Sequence, residues 1–213
     1  PTNPYALLHL TALNDLWWTA YESQRAHAVF AELAEAHPQS EVRGGAAILL
    51  AEAAQVSGAF DQRDAALARL GVDLGWSILG TFDNDQGKGF NLEFPPERGL
   101  DPLPGGTVRG KLVDIAWRAD GVADPRGGFE LADILEPTAW QVAYLATAIE
   151  LESEGDYELR LRVTDPVKVW VNDAVVASLP SVSASPTDAI VLPVRLRAGV
   201  NRLLVKSAHG EGA

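Results

Sequence analysis

The sequence predicts an α+β chain of two domains, with antiparallel helical hairpins over residues 1–71 and an antiparallel β-sandwich over residues 72–213. Three observations carry this. Residues 1–70 are rich in Ala and Leu, with apolar residues recurring every three or four positions, the period of one helix face. Near Gly71 that spacing disappears and Val, Gly and Pro become frequent. Period-two alternation follows, clearest where Tyr157, Leu159, Leu161 and Val163 interleave with Glu158, Arg160 and Arg162. That pattern marks a half-buried strand.

The first helix is predicted to start at an Asn3 cap with Pro4 at its first position, where the missing N–H costs nothing. Leu7, Leu10, Leu13, Trp17 and Tyr21 form its apolar stripe. A second helix runs from about Gln24 to His37, with Ala26, Val29, Phe30 and Leu33 on one face, and Pro38 stops it. Ser40 is read as the cap of a third, carrying Ala46, Leu49, Leu50, Ala53 and Val56 and ending at Gly58. Asp61 is read as the cap of a fourth, with Ala65, Leu67 and Leu70 inside and Gly71 at its end. Neither hairpin can bury its stripe alone, so the two are expected to stack.

In the second domain Gly75–Phe82 reads as a strand, followed by a loop over Asp83–Gly89. After Phe94-Pro95-Pro96-Glu97 and a Pro/Gly-rich connection, Lys111–Arg118 reads as another strand. Residues 139–152 allow helix or strand and are assigned strand from their neighbours. Val167–Val171 and Val175-Val176 flank an Asn172-Asp173 turn. Ile190–Leu196 and Val200–Val205 flank Ala198-Gly199 and read as a closing hairpin. Short strands at this spacing argue for a sandwich.

Two resemblances follow from these residues. Leu10, Leu13, Trp17, Ala26, Phe30 and Pro38, and then Ala46 and Leu49, fall where tetratricopeptide repeats place their contacts. Residues 5–70 therefore resemble two such repeats, with Asn14 where a small residue is usual. Trp76, Gly80-Thr81-Phe82-Asp83-Asn84, Phe94–Glu97, Val167–Asn172 and Leu196–Lys206 resemble a galactose-binding-like β-sandwich, a jelly roll similar to carbohydrate-binding modules. That resemblance implies a further strand beyond residue 213. It also implies a setting in a bacterial envelope, periplasmic or secreted protein. Helical repeats followed by such a sandwich resemble the front of large bacterial proteins with a transglutaminase-like domain downstream. The chain starts at Pro1 and contains no Met, so it is expected to be a piece of a longer protein.

Composition narrows the chemistry. Lys and Arg number 17 and Asp and Glu 29, a formal charge of −12, which disfavours binding driven by nucleic-acid phosphates. Apolar residues are 47% and charged residues 22%, a globular balance. No apolar run approaches the roughly 18 residues that span a bilayer. Without Cys there are no disulfides, thiol nucleophiles or thiolate metal sites. His9, His27, His37 and His209 form neither an HExxH nor an i, i+4 pair. No nucleophile elbow is present, and Gly80…Gly87-Lys88 has the wrong spacing for a phosphate loop. Glu150, Glu152 and Glu154 read as solvated edge charges rather than a glycosidase pair.

No catalytic residue is therefore assigned, and the chain is expected not to be an enzyme. Asp83 and Asp85, with Gly87 following, could begin a calcium loop, although its twelfth position is Phe94 rather than Glu. No other cofactor is implied. Asp83, Asn84, Trp117, Arg118 and Trp140 are the candidate ligand contacts, polar groups and rings near loop ends that suit a sugar. The reading is a non-catalytic binding or scaffold segment whose partner is a glycan, a protein or a neighbouring domain. The alternative is a rigid accessory to a downstream transglutaminase- or protease-like enzyme.

Overall fold

The computed structural model describes residues 6–20, 23–70, 75–98, 106–121, 131–181 and 190–211. They divide into two compact units, one helical up to residue 70 and one β-rich from residue 75. The expected start at Asn3 and Pro4, Tyr21, and the stop at Gly71 lie outside the described residues, as do the side chains of Leu7 and Trp17.

The helical unit contains α1 (Ala6–Ala20), α2 (Ser23–Ala36), α3 (Ser40–Ser57) and α4 (Phe60–Arg69). Leu10, Phe30, Ala46 and Ala53 are buried together, with Ala26, Leu33, Leu49 and Leu50 packed around them. Small alanines let the helices approach closely around Phe30, which is 1% exposed in the middle of α2. The stripes differ in detail from the expected ones. In α1 the buried line runs Ala6, Leu10, Asn14, a strict four-residue step, and Leu13 is 43% exposed beside it. Val56 is likewise exposed, and in α4 it is Ala66, not Ala65, that is buried. The caps also shift: Gln39 and Ala59 hold the cap positions, which puts Ser40 and Asp61 inside the first turns. There the Asp61 carboxylate still faces the positive end of the helix dipole. Gly58 ends α3 in the left-handed conformation, as expected.

The β unit contains β1 (Trp76–Asp83), β2 (Val108–Arg109), β3 (Asp114–Ile115), β4 (Arg118–Gly121), a short α5 (Leu131–Ile134), β5 (Gln141–Leu151), β6 (Gly155–Leu161), β7 (Val167–Val171), β8 (Ala174–Leu179), β9 (Ile190–Leu196) and β10 (Gly199–His209). Six strands form one antiparallel sheet in the order β4-β1-β5-β10-β7-β8. β6 pairs with β9, and β2 with β3, as separate two-stranded sheets.

The large sheet is covered on both faces. On the first, Ile78, Ala143, Leu145, Val169, Val171, Leu203 and Val205 pack against Leu159, Leu161, Leu192, Val194 and Leu196 of the β6–β9 layer. On the second, Leu79, Phe82, Val142, Tyr144 and Ala208 pack against Phe90 and Phe94 of the 85–97 segment, Val108 and Ile115 of β2–β3, and Trp117. Central strand β5 is buried on both sides from Gln141 to Thr147. Alternation therefore fails there, which is the physical source of the helix-or-strand ambiguity over 139–152.

Two expectations are corrected. Lys111–Arg118 is not one strand: residues 111–113 bend, and only Asp114–Ile115 and Arg118–Gly121 pair. Gly110 N–H donates to Val113 O and Lys111 N–H to Thr81 O, so the backbone turns to meet β1 instead of extending. Ile190–Leu196 and Val200–Val205 do not form a hairpin either. β9 joins β6 in the small layer, while β10 joins β5 and β7 in the large one. The turn between them passes from layer to layer. Gly199 has φ 81°, a conformation open to Gly. Asn201, 1% exposed, accepts from Arg197 N–H and donates to Arg197 O and Gly199 O.

Candidate functional site

Strand register gathers a polar row at one end of the large sheet. Asp83 on β1 pairs with Gln141 on β5, and Gln141 pairs with His209 on β10. Side chains alternate along a strand, so these three fall on the same face, spaced by about 4.8 Å from strand to strand. Asp165, just before β7, continues the row: its carboxylate oxygens lie 2.9 and 3.1 Å from His209 Nδ1. The carboxylate fixes the ring and leaves Nε2 as its outward nitrogen.

Lys111 closes the β1 side of the row. Its Nζ donates to Trp140 O at 2.5 Å and Ala139 O at 3.3 Å, and lies 3.4 Å from Asp83 Oδ1. The Asp83 side chain is 56% exposed, whereas Gln141 is 2% exposed. Gln141 Nε2 donates to Thr138 O at 3.3 Å, while its Oε1 has no hydrogen-bond partner among the described residues. A buried amide oxygen left so carries an uncompensated desolvation cost.

The row contains one predicted residue, Asp83, and two more lie at its edge. Trp140 is half-buried with φ 51°, its N–H donating to Gly210 O and its carbonyl accepting from Asn84 N–H. Asn84 is 2% exposed and its Nδ2 donates to His209 O at 2.7 Å, so it pins β1 to β10 and does not face solvent. Trp117 and Arg118 are not part of this group. Trp117 packs into the second-face core, and Arg118 Nη2 donates to Ile134 O at 2.9 Å. Asp85 is exposed and lies 3.6 Å from Lys88 Nζ. Among the described residues no three metal-ligating side chains converge, and the carboxylates of Asp83 and Asp85 each face an ammonium instead.

Sequence reasoning missed Lys111, Gln141, Asp165 and His209, because only the strand register brings them to one place. It also missed a buried charge network on the second face. Lys206 on β10 is 0% exposed, and its Nζ donates to Glu97 Oε1 at 2.7 Å and to Leu92 O at 2.6 Å. The Tyr144 hydroxyl donates to the same Glu97 oxygen. The ammonium also lies 5.1 Å from the Phe94 ring centroid and 5.8 Å from that of Tyr144. Burial pushes the Lys206 pKa down, against the hydrogen bond and charge of Glu97, which hold it up. Burial and then Glu97 push the Tyr144 hydroxyl far up, so it stays protonated. A signal existed: Lys206 stands between Leu204 and Ala208 on an inward-facing register.

Compared with known proteins, the chain matches no family model, no curated protein and no solved structure.

Proposed function

We propose that this chain is a non-catalytic binding or scaffold segment, and that its binding site is the polar row at the end of the large sheet. The observation supporting this is the row itself: Asp83, Gln141, His209 and Asp165 sit side by side on adjacent chain segments, with the Asp83 carboxylate exposed. Asp83, Gln141 and His209 stand at the ends of paired strands, so their mutual spacing is fixed before any ligand arrives, while Asp165 is set by its contact with His209. Carboxylates, an imidazole and an amide beside a half-buried indole suit a hydroxyl-rich ligand, and a glycan has that chemistry. Few polar groups and a shallow setting imply weak binding.

Isothermal calorimetry of the chain against a panel of neutral polysaccharides tests this. Binding by at least one, weakened fivefold or more in Asp83→Ala and His209→Ala, is the expected result. No heat with any polysaccharide, with or without calcium, overturns the glycan reading and leaves the accessory-domain reading in its place.

A further inference from the structure

Residues 85–98 lie across the second face of the large sheet in an unusual way. Their backbone hydrogen bonds are made within the segment or to its first neighbour. Gly87 N–H donates to Asn84 O, Asn91 to Lys88 O, Leu92 to Gly89 O, Glu97 to Phe94 O and Arg98 to Pro95 O. The side-chain pairs Lys88–Asp85 and Arg98–Glu93 are internal as well. No residue of the segment joins a strand ladder.

Among the described residues the segment is therefore held to the sheet through contacts that each involve a side chain, one of them the Lys168 ammonium of β7, 4.7 Å from the Phe90 ring centroid. Phe90 and Phe94 insert into the apolar face formed by Leu79, Phe82, Val142, Tyr144 and Ala208. One polar knot, Lys206 with Glu97, Tyr144 and Leu92 O, ties it down. Lifting the segment breaks no sheet hydrogen bond. It does strand the Lys206 ammonium without its carboxylate, an expensive state inside a protein.

We propose that residues 85–98 form a latched strap, which docks and undocks as one body with the Lys206–Glu97 pair as its latch. Undocking bares the aromatic face of Phe82 and Tyr144 while the six-stranded ladder stays intact. The isolated one-bond turns do not persist in water once lifted, so their amides exchange when the strap opens.

Hydrogen exchange read by mass spectrometry on the full chain, across low guanidinium concentrations, tests the proposal. In the wild type, strap peptides should exchange through an opening with a smaller denaturant dependence than peptides of β5 and β10. In Glu97→Gln, strap exchange should accelerate at least tenfold while β5 and β10 keep their wild-type rates. Strap and ladder peptides that exchange together in the wild type would overturn the strap. That arm does not depend on the variant folding. A Glu97→Gln strap that exchanges at the wild-type rate, or a variant in which all peptides accelerate alike, would overturn the latch.

Discussion

Single residues set the sharpest expectations. Lys206 and Glu97 are an ion pair sealed from water, with side chains 0% and 10% exposed. Removing one partner leaves the other buried and uncompensated, which costs about 3–5 kcal/mol, whereas removing both for apolar groups of similar size is close to neutral. Chemical denaturation of Lys206→Met, Glu97→Leu and the double variant should therefore show strong non-additivity, with the double variant more stable than either single one. Tyr144 gives a pH signature. Its folded pKa is raised, so the folded chain keeps a proton that the unfolded chain releases near pH 10. The stability it contributes is full below about pH 10 and is lost as pH rises past it. Lys206 runs the other way: its folded pKa is lowered, so the cost of its buried charge is full at neutral pH and is relieved on the way to about pH 10.5. The stability gap between wild type and Tyr144→Phe should thus hold steady from pH 7 to 9 and shrink above pH 10. A gap that widens there would contradict the Tyr144 assignment.

At the scale of elements, the strands and helices were legible and their partners were not. The apolar runs at 76–82 and 167–171 report local burial, and strands stand there; a strand also stands at Gly155–Leu161, but its expected alternation does not appear in burial, since Tyr157 is 41% exposed while Glu158 and Arg160 are partly buried as an ion pair. Ile190–Leu196 and Val200–Val205 show the limit of that signal. Strand, tight turn, strand is the pattern of a hairpin and equally of a chain stepping between layers. The choice was made by Asn201, whose side chain ties the turn back on itself, and by β5, a better-buried partner for β10. The candidate site was legible only at Asp83 and Trp140, since Gln141, Asp165 and His209 lie far apart in sequence and meet through register. The strap gives an element-level test. A Cβ on Gly89 would sit 2.5 Å from Asp83 O and 2.8 Å from both Asn84 Oδ1 and Val142 Cγ2. The first of these is backbone and cannot swing aside. Gly89→Ala should lower stability by about 2 kcal/mol or more, in the range typical of overpacking. Gly87→Ala meets no atom within 4 Å and suffers only from φ 76°, so it should cost less than Gly89→Ala in the same melts.

At the scale of the whole molecule, each unit encloses a core of its own, and several of the described arginines and lysines face carboxylates. Arg195 lies near Glu154 and Asp156, Arg202 near Asp173, and Arg160 near Glu158. Asp83 and Asp85, the residues that suggested calcium, face Lys111 and Lys88. If those pairs hold the carboxylates, added calcium or a chelator should leave the melting temperature unchanged, and a calcium-dependent rise would establish the ion-binding reading of that loop. The groove between α2, α3 and α4, with a volume of about 490 Å³ and lined by Ala28, Ala31, Ala47 and Leu50, competes with the sheet end as a place for a partner. The most direct discrimination is an amide chemical-shift titration of the full chain with a polysaccharide that gives heat in calorimetry. Saturable shifts clustered at Asp83, Lys111, Trp140-Gln141, Asp165 and His209, with the helical unit silent, are the expected result. Shifts concentrated along α2–α4, or spread evenly over both units, would contradict it.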